Sequence, residues 1–315
     1  MSLADYNALP IDEVFATLVD APRLDALLRL AIDEDLADIG DVTTASLVPP
    51  DRMVRAAIVA RENGVIAGLP VVRRVLEIAD SLETLGTHFE ANDGERCAPG
   101  QVLVRFDGPL AALLPLERIM LNALGRLAGI ATLTRRFVDA VAGTKAKLCC
   151  TRKTLPGWRE LEKYAVRCGG GWLHRIGLYD AMLVKDNHLG GVPLDQLAEV
   201  LAVAARTARR RQALRFVEVE VDTLEQFERV LTVEDGLIDI VLLDNFSCER
   251  LREAVALRDA KRPSLQLEAS GGVRLETVRA IAETGVERVS CGAITHSAIT
   301  LDVAIDLLDE EQGHA

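Results

Sequence analysis

One short stretch of this chain collects Arg152, Lys153, His174, Arg175 and Lys185. Two acidic residues, Glu220 and Asp244, follow, and then the small-residue runs Ser270-Gly271-Gly272 and Gly292-Ala293. A guanidinium grips a carboxylate through two parallel hydrogen bonds, whereas an ammonium acts on phosphate as a point charge. The first set therefore suits a ligand carrying both carboxylate and phosphate. Glu220 and Asp244 allow two readings: oxygen ligands for Mg²⁺ beside a polyphosphate, or partners that neutralise Lys153 or Lys185 while the site is empty. The glycine runs offer backbone N–H groups to a phosphate. The residues form no Ser/His/Asp arrangement, dinucleotide fingerprint or Walker loop. Such a site binds polyanions and steadies charge, with little proton transfer.

The surrounding chain must bring these groups together. It has 315 residues, half of them hydrophobic and only 4% aromatic, with a net charge of -12. That length suits one large domain or two smaller ones, and an apolar load carried by Ala, Val and Leu suits α/β architecture. The acidic balance argues against nucleic acid, which needs a broad basic surface, but leaves room for small anions in a local cationic pocket. Six cysteines form no C-x-x-C pair and no zinc spacing, so free thiols are expected. The first ten residues carry no basic, apolar leader pattern, and no apolar run reaches the ~20 residues that span a bilayer. A soluble, cytoplasmic protein without membrane partners is the expectation.

Hydrophobic periodicity divides the chain in two. Residues 20–38 read as an amphipathic helix that breaks at Gly40-Asp41-Val42-Thr43-Thr44. Strands at 55–61 and 102–106 and a helix near 71–78 make a compact α+β unit, and a long helix over 115–141 follows. Beyond it, short strands (146–151, 181–185, 216–221, 238–244, 265–270 and 288–292) alternate with helices (194–211, 224–231, 250–258 and 275–284). This alternation predicts a parallel sheet, and six repeats of modest length favour an α/β barrel. The basic run 206–211 is read as a solvated helix end. The chemistry-bearing residues sit at the C-terminal ends of the six strands, which in a parallel barrel share one mouth.

The motifs at those ends resemble a known family. They are Thr151-Arg152-Lys153-Thr154, Glu162-Lys163-Tyr164-Ala165-Val166, Gly169-Gly170-Gly171, His174-Arg175, Gly177-Leu178-Tyr179-Asp180 and Lys185-Asp186-Asn187-His188. Further matching runs are Gly40-Asp41-Val42-Thr43-Thr44, Leu116-Glu117-Arg118, Val217-Glu218-Val219-Glu220, Leu243-Asp244-Asn245, Glu268-Ala269-Ser270-Gly271-Gly272 and Gly292-Ala293-Ile294-Thr295-His296-Ser297. Together they resemble the quinolinate phosphoribosyltransferases over most of the chain. One departure is Leu173, where that family usually has Asn.

The resemblance implies an N-terminal open α/β sandwich (residues 1–125, rejoined by 301–315) and an incomplete, TIM-like α/β barrel (126–300). It implies phosphoribosyl transfer from phosphoribosyl pyrophosphate to quinolinate with loss of CO₂, in NAD biosynthesis, with Mg²⁺. It also implies a homodimer in which Arg118 reaches the partner's site. Arg152, His174 and Arg175 would hold the two carboxylates, with Lys153 and Lys185 between carboxylate and pyrophosphate. Glu220 and Asp244 would lie near the ribose and the metal, and Ser270, Gly271, Gly272, Gly292 and Ala293 at the 5′-phosphate. Two rivals stand beside this reading: a sister phosphoribosyltransferase linked to molybdenum transport, and a catalytically silent sugar-phosphate-binding barrel.

Overall fold

The computed structural model describes residues 4–308. In chain order it begins with α1 (Ile11–Leu18), α2 (Ala21–Leu36), α3 (Val42–Leu47), β1 (Met53–Ala60), β2 (Gly64–Val65) and α4 (Leu69–Ile78). Next come β3 (His88–Phe89), β4 (Arg96–Cys97), β5 (Val102–Pro109), α5 (Leu110–Ala140), β6 (Lys147–Cys149), α6 (Arg159–Cys168) and β7 (Met182–Val184). The chain continues with α7 (Leu197–Arg211), β8 (Val217–Val221), α8 (Leu224–Val230), β9 (Ile240–Asp244) and α9 (Cys248–Lys261). It ends with β10 (Gln266–Ser270), α10 (Leu275–Ala282), β11 (Arg288–Ser290), α11 (Ala293–His296) and β12 (Val303–Leu308).

Two compact units result. One takes residues 8–135, 155–170 and 298–308, and the other takes 4–7, 136–154 and 171–297. The sequence reading divides the chain as 1–125 with 301–315 and 126–300; these units differ in placing 126–135 and 155–170 with the first and 4–7 with the second. The 125/126 boundary falls inside α5, which runs without interruption through Ala140. Residues 1–3 and 309–315 of the expected ranges lie outside the described residues.

In the first unit an antiparallel sheet runs in the order β12-β1-β5-β3, and β2 pairs with β4. β12 joins through the register Ala60↔Val303 to Arg55↔Leu308, so the end of the described chain completes this sheet. Local chemistry fixes the helix starts. The Asp20 carboxylate accepts the Arg23 N–H at the head of α2, and Asp41 accepts that of Thr44 at α3. The second cap turns part of the expected break at 40–44 into a short helix, since a side-chain oxygen satisfies an orphan N–H of the first turn. At α4 the carboxylate comes from afar: Asp93 accepts the N–H groups of Gly68 (2.7 Å) and Leu69 (3.2 Å), and the Tyr164 hydroxyl at 2.8 Å. α6 escaped the periodicity reading because it buries Glu162 and Lys163 fully along with Tyr164. Glu162 is held by Arg126 at 2.7 Å.

The second unit is a single parallel sheet in the order β6-β11-β10-β9-β8-β7. Its registers are parallel throughout, for example Ser270↔Asp244 and Ser290↔Cys149. A further parallel bridge joins Cys149 to Trp172 beyond β6. Among the described residues β7 has no partner on its outer edge, so this is an incomplete barrel, as expected. Strand interiors such as Val241, Leu242 and Leu243 are buried, as in sheets covered on both faces. The basic run after 206 ends α7, with Arg209 paired to Asp239 at 2.6 Å. No helix of the described residues is long and apolar enough to cross a membrane.

Replacing Asp93 with Ala strips the partner from two backbone N–H groups and a buried hydroxyl. Unsatisfied buried donors cost about 1–3 kcal/mol each, and relaxation recovers part of it. The expected loss is about 2–4 kcal/mol in denaturant-induced unfolding, and a loss below 0.5 kcal/mol would contradict the capping role.

Candidate active site

The strand ends of the barrel unit enclose a cavity of about 780 Å³. Arg152, Lys153, His174, Arg175, Lys185, Glu220, Asp244, Ser270, Gly271, Gly272, Gly292 and Ala293 all line it. Every site residue expected within this unit is therefore at one mouth. Arg118 is the exception: it lies on α5 in the other unit, with its side chain 66% exposed, and is not among the lining residues.

The cationic wall is made by Arg152 and Arg175. Arg175 is buried, and among the described residues its guanidinium makes one long contact, 3.5 Å from Nη1 to the Ala181 carbonyl oxygen. Burial, reinforced by the Arg152 guanidinium, pushes its pKa below the usual arginine range. Among the described residues the buried Arg152 Nε has no hydrogen-bond partner. Two like charges side by side, one with an unused donor, leave a place for an anion.

Lys185 donates to the Glu220 carboxylate, the neutralising pair that was one of the two readings of Glu220. It follows β7, and Glu220 sits on the neighbouring strand β8, so adjacent strand ends bring them together. The Asp244 carboxylate ends β9 and accepts from the Asn245 side-chain amide at 2.6 Å. Asn245 has a positive φ of 55°, and its side chain occupies the space beside Gly271. A Cβ on Gly271 would come within 2.1 Å of the Asn245 Oδ1. Lys153 is fixed from behind, since its carbonyl oxygen accepts the Thr295 hydroxyl at 2.8 Å. A Cβ on Gly292 would sit 2.8 Å from the Lys153 Cδ, so glycine there keeps the lysine stem in place.

His174 behaves differently from its expected role as a direct carboxylate ligand. Its Nδ1 accepts the Arg175 backbone N–H at 2.8 Å, and its Nε2 lies 2.7 Å from the Glu218 Oε2. A nitrogen that accepts a backbone N–H carries no proton, so the neutral ring donates through Nε2 to Glu218. Both nitrogens are thus engaged inside the protein.

Behind His174 lies a buried group that sequence reading missed. Glu218 and Glu268 are fully buried, the His174 Nε2 is also 3.6 Å from the Glu268 Oε1, and Arg288 Nε reaches the Glu268 Oε2 at 2.5 Å. Burial and the neighbouring Glu268 raise the pKa of Glu218. For Glu268, burial pushes upward, but the Arg288 guanidinium outweighs it and keeps the pKa below the ordinary glutamate value. Arg288 is raised above its ordinary value: burial opposes its charge, but the anionic groups around it prevail. The signal was present in Val217-Glu218-Val219-Glu220-Val221, where two acids alternate with valines on a strand too apolar to be an edge.

A polyanion site at the mouth of a β/α barrel defines a class of enzymes that bind phosphorylated substrates. The comparisons narrow this to one family. The family model for the quinolinate phosphoribosyl transferase N-terminal domain matches residues 41–128, and that for the C-terminal domain matches 130–306. The nicotinate-nucleotide pyrophosphorylase [carboxylating] of Mycobacterium leprae is 44% identical over 282 residues, 89% of this chain and 95% of its own length. A probable enzyme of that name from Bacillus subtilis is 36% identical over 285 residues, covering 90% and 93%. The solved nicotinate-nucleotide pyrophosphorylase of Francisella tularensis aligns with a TM-score of 0.81 at 32% identity, covering 98% of this chain and 100% of that one. The chain belongs to the quinolinate phosphoribosyltransferase family.

The raised pKa of Glu218 has a defined pH consequence. Folding favours its protonated form, so its contribution is present below the ordinary glutamate value and is lost as pH rises through the raised one. Glu218→Gln keeps an acceptor for His174 but removes the charge. The variant should be at least as stable as wild type at pH 8, with the gap widening from pH 5 upward in parallel thermal melts. A gap that narrows with rising pH would refute the assignment.

Proposed function

We propose that this protein transfers the phosphoribosyl group of phosphoribosyl pyrophosphate to quinolinate, with decarboxylation, to give nicotinate mononucleotide, CO₂ and pyrophosphate. One observation carries the reading: Arg152 and Arg175 line one cavity, and among the described residues the buried Arg152 Nε has no hydrogen-bond partner. A pyridine dicarboxylate supplies the negative charge that such a pair lacks.

Arg152 and Arg175 hold the two carboxylates, and His174 positions Arg175 by accepting its backbone N–H. Lys153 and Lys185 bridge carboxylate and pyrophosphate. The ring nitrogen attacks the anomeric carbon as pyrophosphate departs, through a transition state with oxocarbenium character. Fixed cations stabilise the leaving group, and Glu220 stabilises the cationic sugar. The alkylated ring nitrogen is then positive, and the C–C bond to the adjacent carboxylate breaks to release CO₂. Its electron pair stays on the ring as a carbanion beside that positive charge until a proton arrives. Holding two polyanions together in this way removes the repulsion they would feel in water.

Glu220 and Asp244, hard oxygen donors on neighbouring strands at the cavity, fit Mg²⁺. The ion, when bound, would supply positive charge to the pyrophosphate. The Ser270–Gly272 and Gly292–Ala293 loops take the 5′-phosphate. Arg118 completes the site of a second subunit in a homodimer, which accounts for an exposed arginine that is not among the residues lining the cavity. The setting is the cytoplasm, in NAD biosynthesis.

Incubation with quinolinate, phosphoribosyl pyrophosphate and Mg²⁺ should yield nicotinate mononucleotide, and nicotinate in place of quinolinate should yield none. Absence of product would leave the silent barrel or the molybdenum-linked sister group as the better reading. Arg175→Ala should lower kcat/KM by ~100-fold, about 2.7 kcal/mol of transition-state binding; a change of only a few-fold would remove its role.

The shared site has its own test. Mixing inactive Arg118→Ala with inactive Lys185→Ala should restore activity through hybrid dimers carrying one intact site. No recovery despite demonstrated subunit exchange would rule out an Arg118 contribution across the interface.

A further inference from the structure

The segment that carries His174 and Arg175 begins at the open edge of the barrel. Trp172 is tied to β6: its N–H donates to the Leu148 carbonyl at 2.7 Å, and its carbonyl accepts the Cys150 N–H at 3.0 Å. In extended chain the peptide groups of the next residue point the other way. The N–H and C=O of Leu173 therefore face the side where no strand of the sheet pairs. Leu173 is buried, so those two groups need partners within the protein.

Asn7 supplies both. Its Oδ1 accepts the Leu173 N–H at 2.7 Å, and its Nδ2 donates to the Leu173 carbonyl at 3.1 Å. A side-chain amide has the donor and acceptor of a peptide group, so one residue substitutes for the absent strand. The same N-terminal stretch grips the far end of the loop. The Tyr6 ring lies 4.4 Å from the Arg215 guanidinium, and the Ala4 carbonyl accepts from Arg215. Arg215 in turn pairs with Asp180 at 2.9 Å, and Asp180 accepts the N–H groups of Ile176 and Gly177, each at 2.9 Å. Asn7 and Leu173 also border a second cavity of about 810 Å³.

We propose that Asn7 is a positioning residue for the dicarboxylate site: it fixes the Leu173 backbone and thereby the placement of His174 and Arg175. The inference rests on the reading of Arg175 as a quinolinate ligand. It makes residues 4–7 part of the machinery of substrate recognition, although none of them lines the cavity at the strand C-termini.

The test separates KM for the two substrates in the full-length enzyme. Asn7→Ala should raise the quinolinate KM about 10-fold, since small misplacements of a binding group are costly, and leave the KM for phosphoribosyl pyrophosphate within about two-fold. The Leu173 amide should exchange faster, and the unfolding midpoint should fall, since two buried backbone groups lose their partner. An unaltered quinolinate KM would overturn the proposal, as would equal rises in both KM values. Should Asn7→Ala not fold, Asn7→Asp keeps the acceptor for the Leu173 N–H and loses the donor. It should raise the quinolinate KM alone, and no rise would again refute the idea. Arg175→Ala, run alongside, distinguishes the two levels. If it too leaves quinolinate binding intact, the site reading fails; if it weakens binding while Asn7→Ala does not, only the role of Asn7 fails.

Discussion

A cationic mouth above a sheet of parallel strands would be unstable without something to organise the polar groups beneath it. Here the organising interaction is the buried ion pair of Arg288 and Glu268, extended through His174 to Glu218. Charges of this kind are expensive to bury and tolerable only when paired and hydrogen-bonded. The pair sits on adjacent strands, β11 and β10, opposite one another in register, so the sheet itself enforces the contact. His174 reaches into the same group from the segment beyond β6. His174 thus ties the cavity to this buried group.

That tie explains the division of labour among the cations. His174 spends both nitrogens on the protein, one on Glu218 and one on the backbone of Arg175. Arg175, by contrast, lines the cavity beside Arg152, and burial together with that neighbouring charge lowers its pKa. Lys185 and Glu220 neutralise each other on the opposite wall. Positive charge in the cavity is therefore concentrated beside Arg152 and Arg175, while Lys185 and Glu220 offset each other. Such preorganisation lets binding release repulsion instead of requiring the protein to rearrange.

The same logic runs through the small residues. Gly292 leaves room for the Lys153 stem, and Gly271 leaves room for the Asn245 amide that holds Asp244. Neither glycine need touch a substrate to matter. Asn7 belongs with them: at the open edge of an incomplete barrel it closes the hydrogen bonding that a further strand would have closed.

Much of this was legible in the residues themselves. Strand–helix alternation gave the parallel sheet, and the positions of Arg152, Lys185, Glu220 and Asp244 after apolar runs put them at one mouth. Those are local or periodic features, set by side-chain type and by the regular geometry of parallel strands. What the sequence could not rank was partnership. Glu218 and Glu220 look alike in Val-Glu-Val-Glu-Val, yet one is fully buried against His174 and the other pairs with Lys185. α6 hid because its buried Glu162 and Lys163 break the apolar stripe, and Glu162 finds Arg126 only in the folded unit. Asn7 stands 166 positions from Leu173 and carries no local signal at all. The sequence alone determined which groups the chain brings to its strand ends; the tertiary structure decided which of them stay available to a substrate. The physical reason is that burial and pairing depend on neighbours distant in the chain, which only the packed fold supplies.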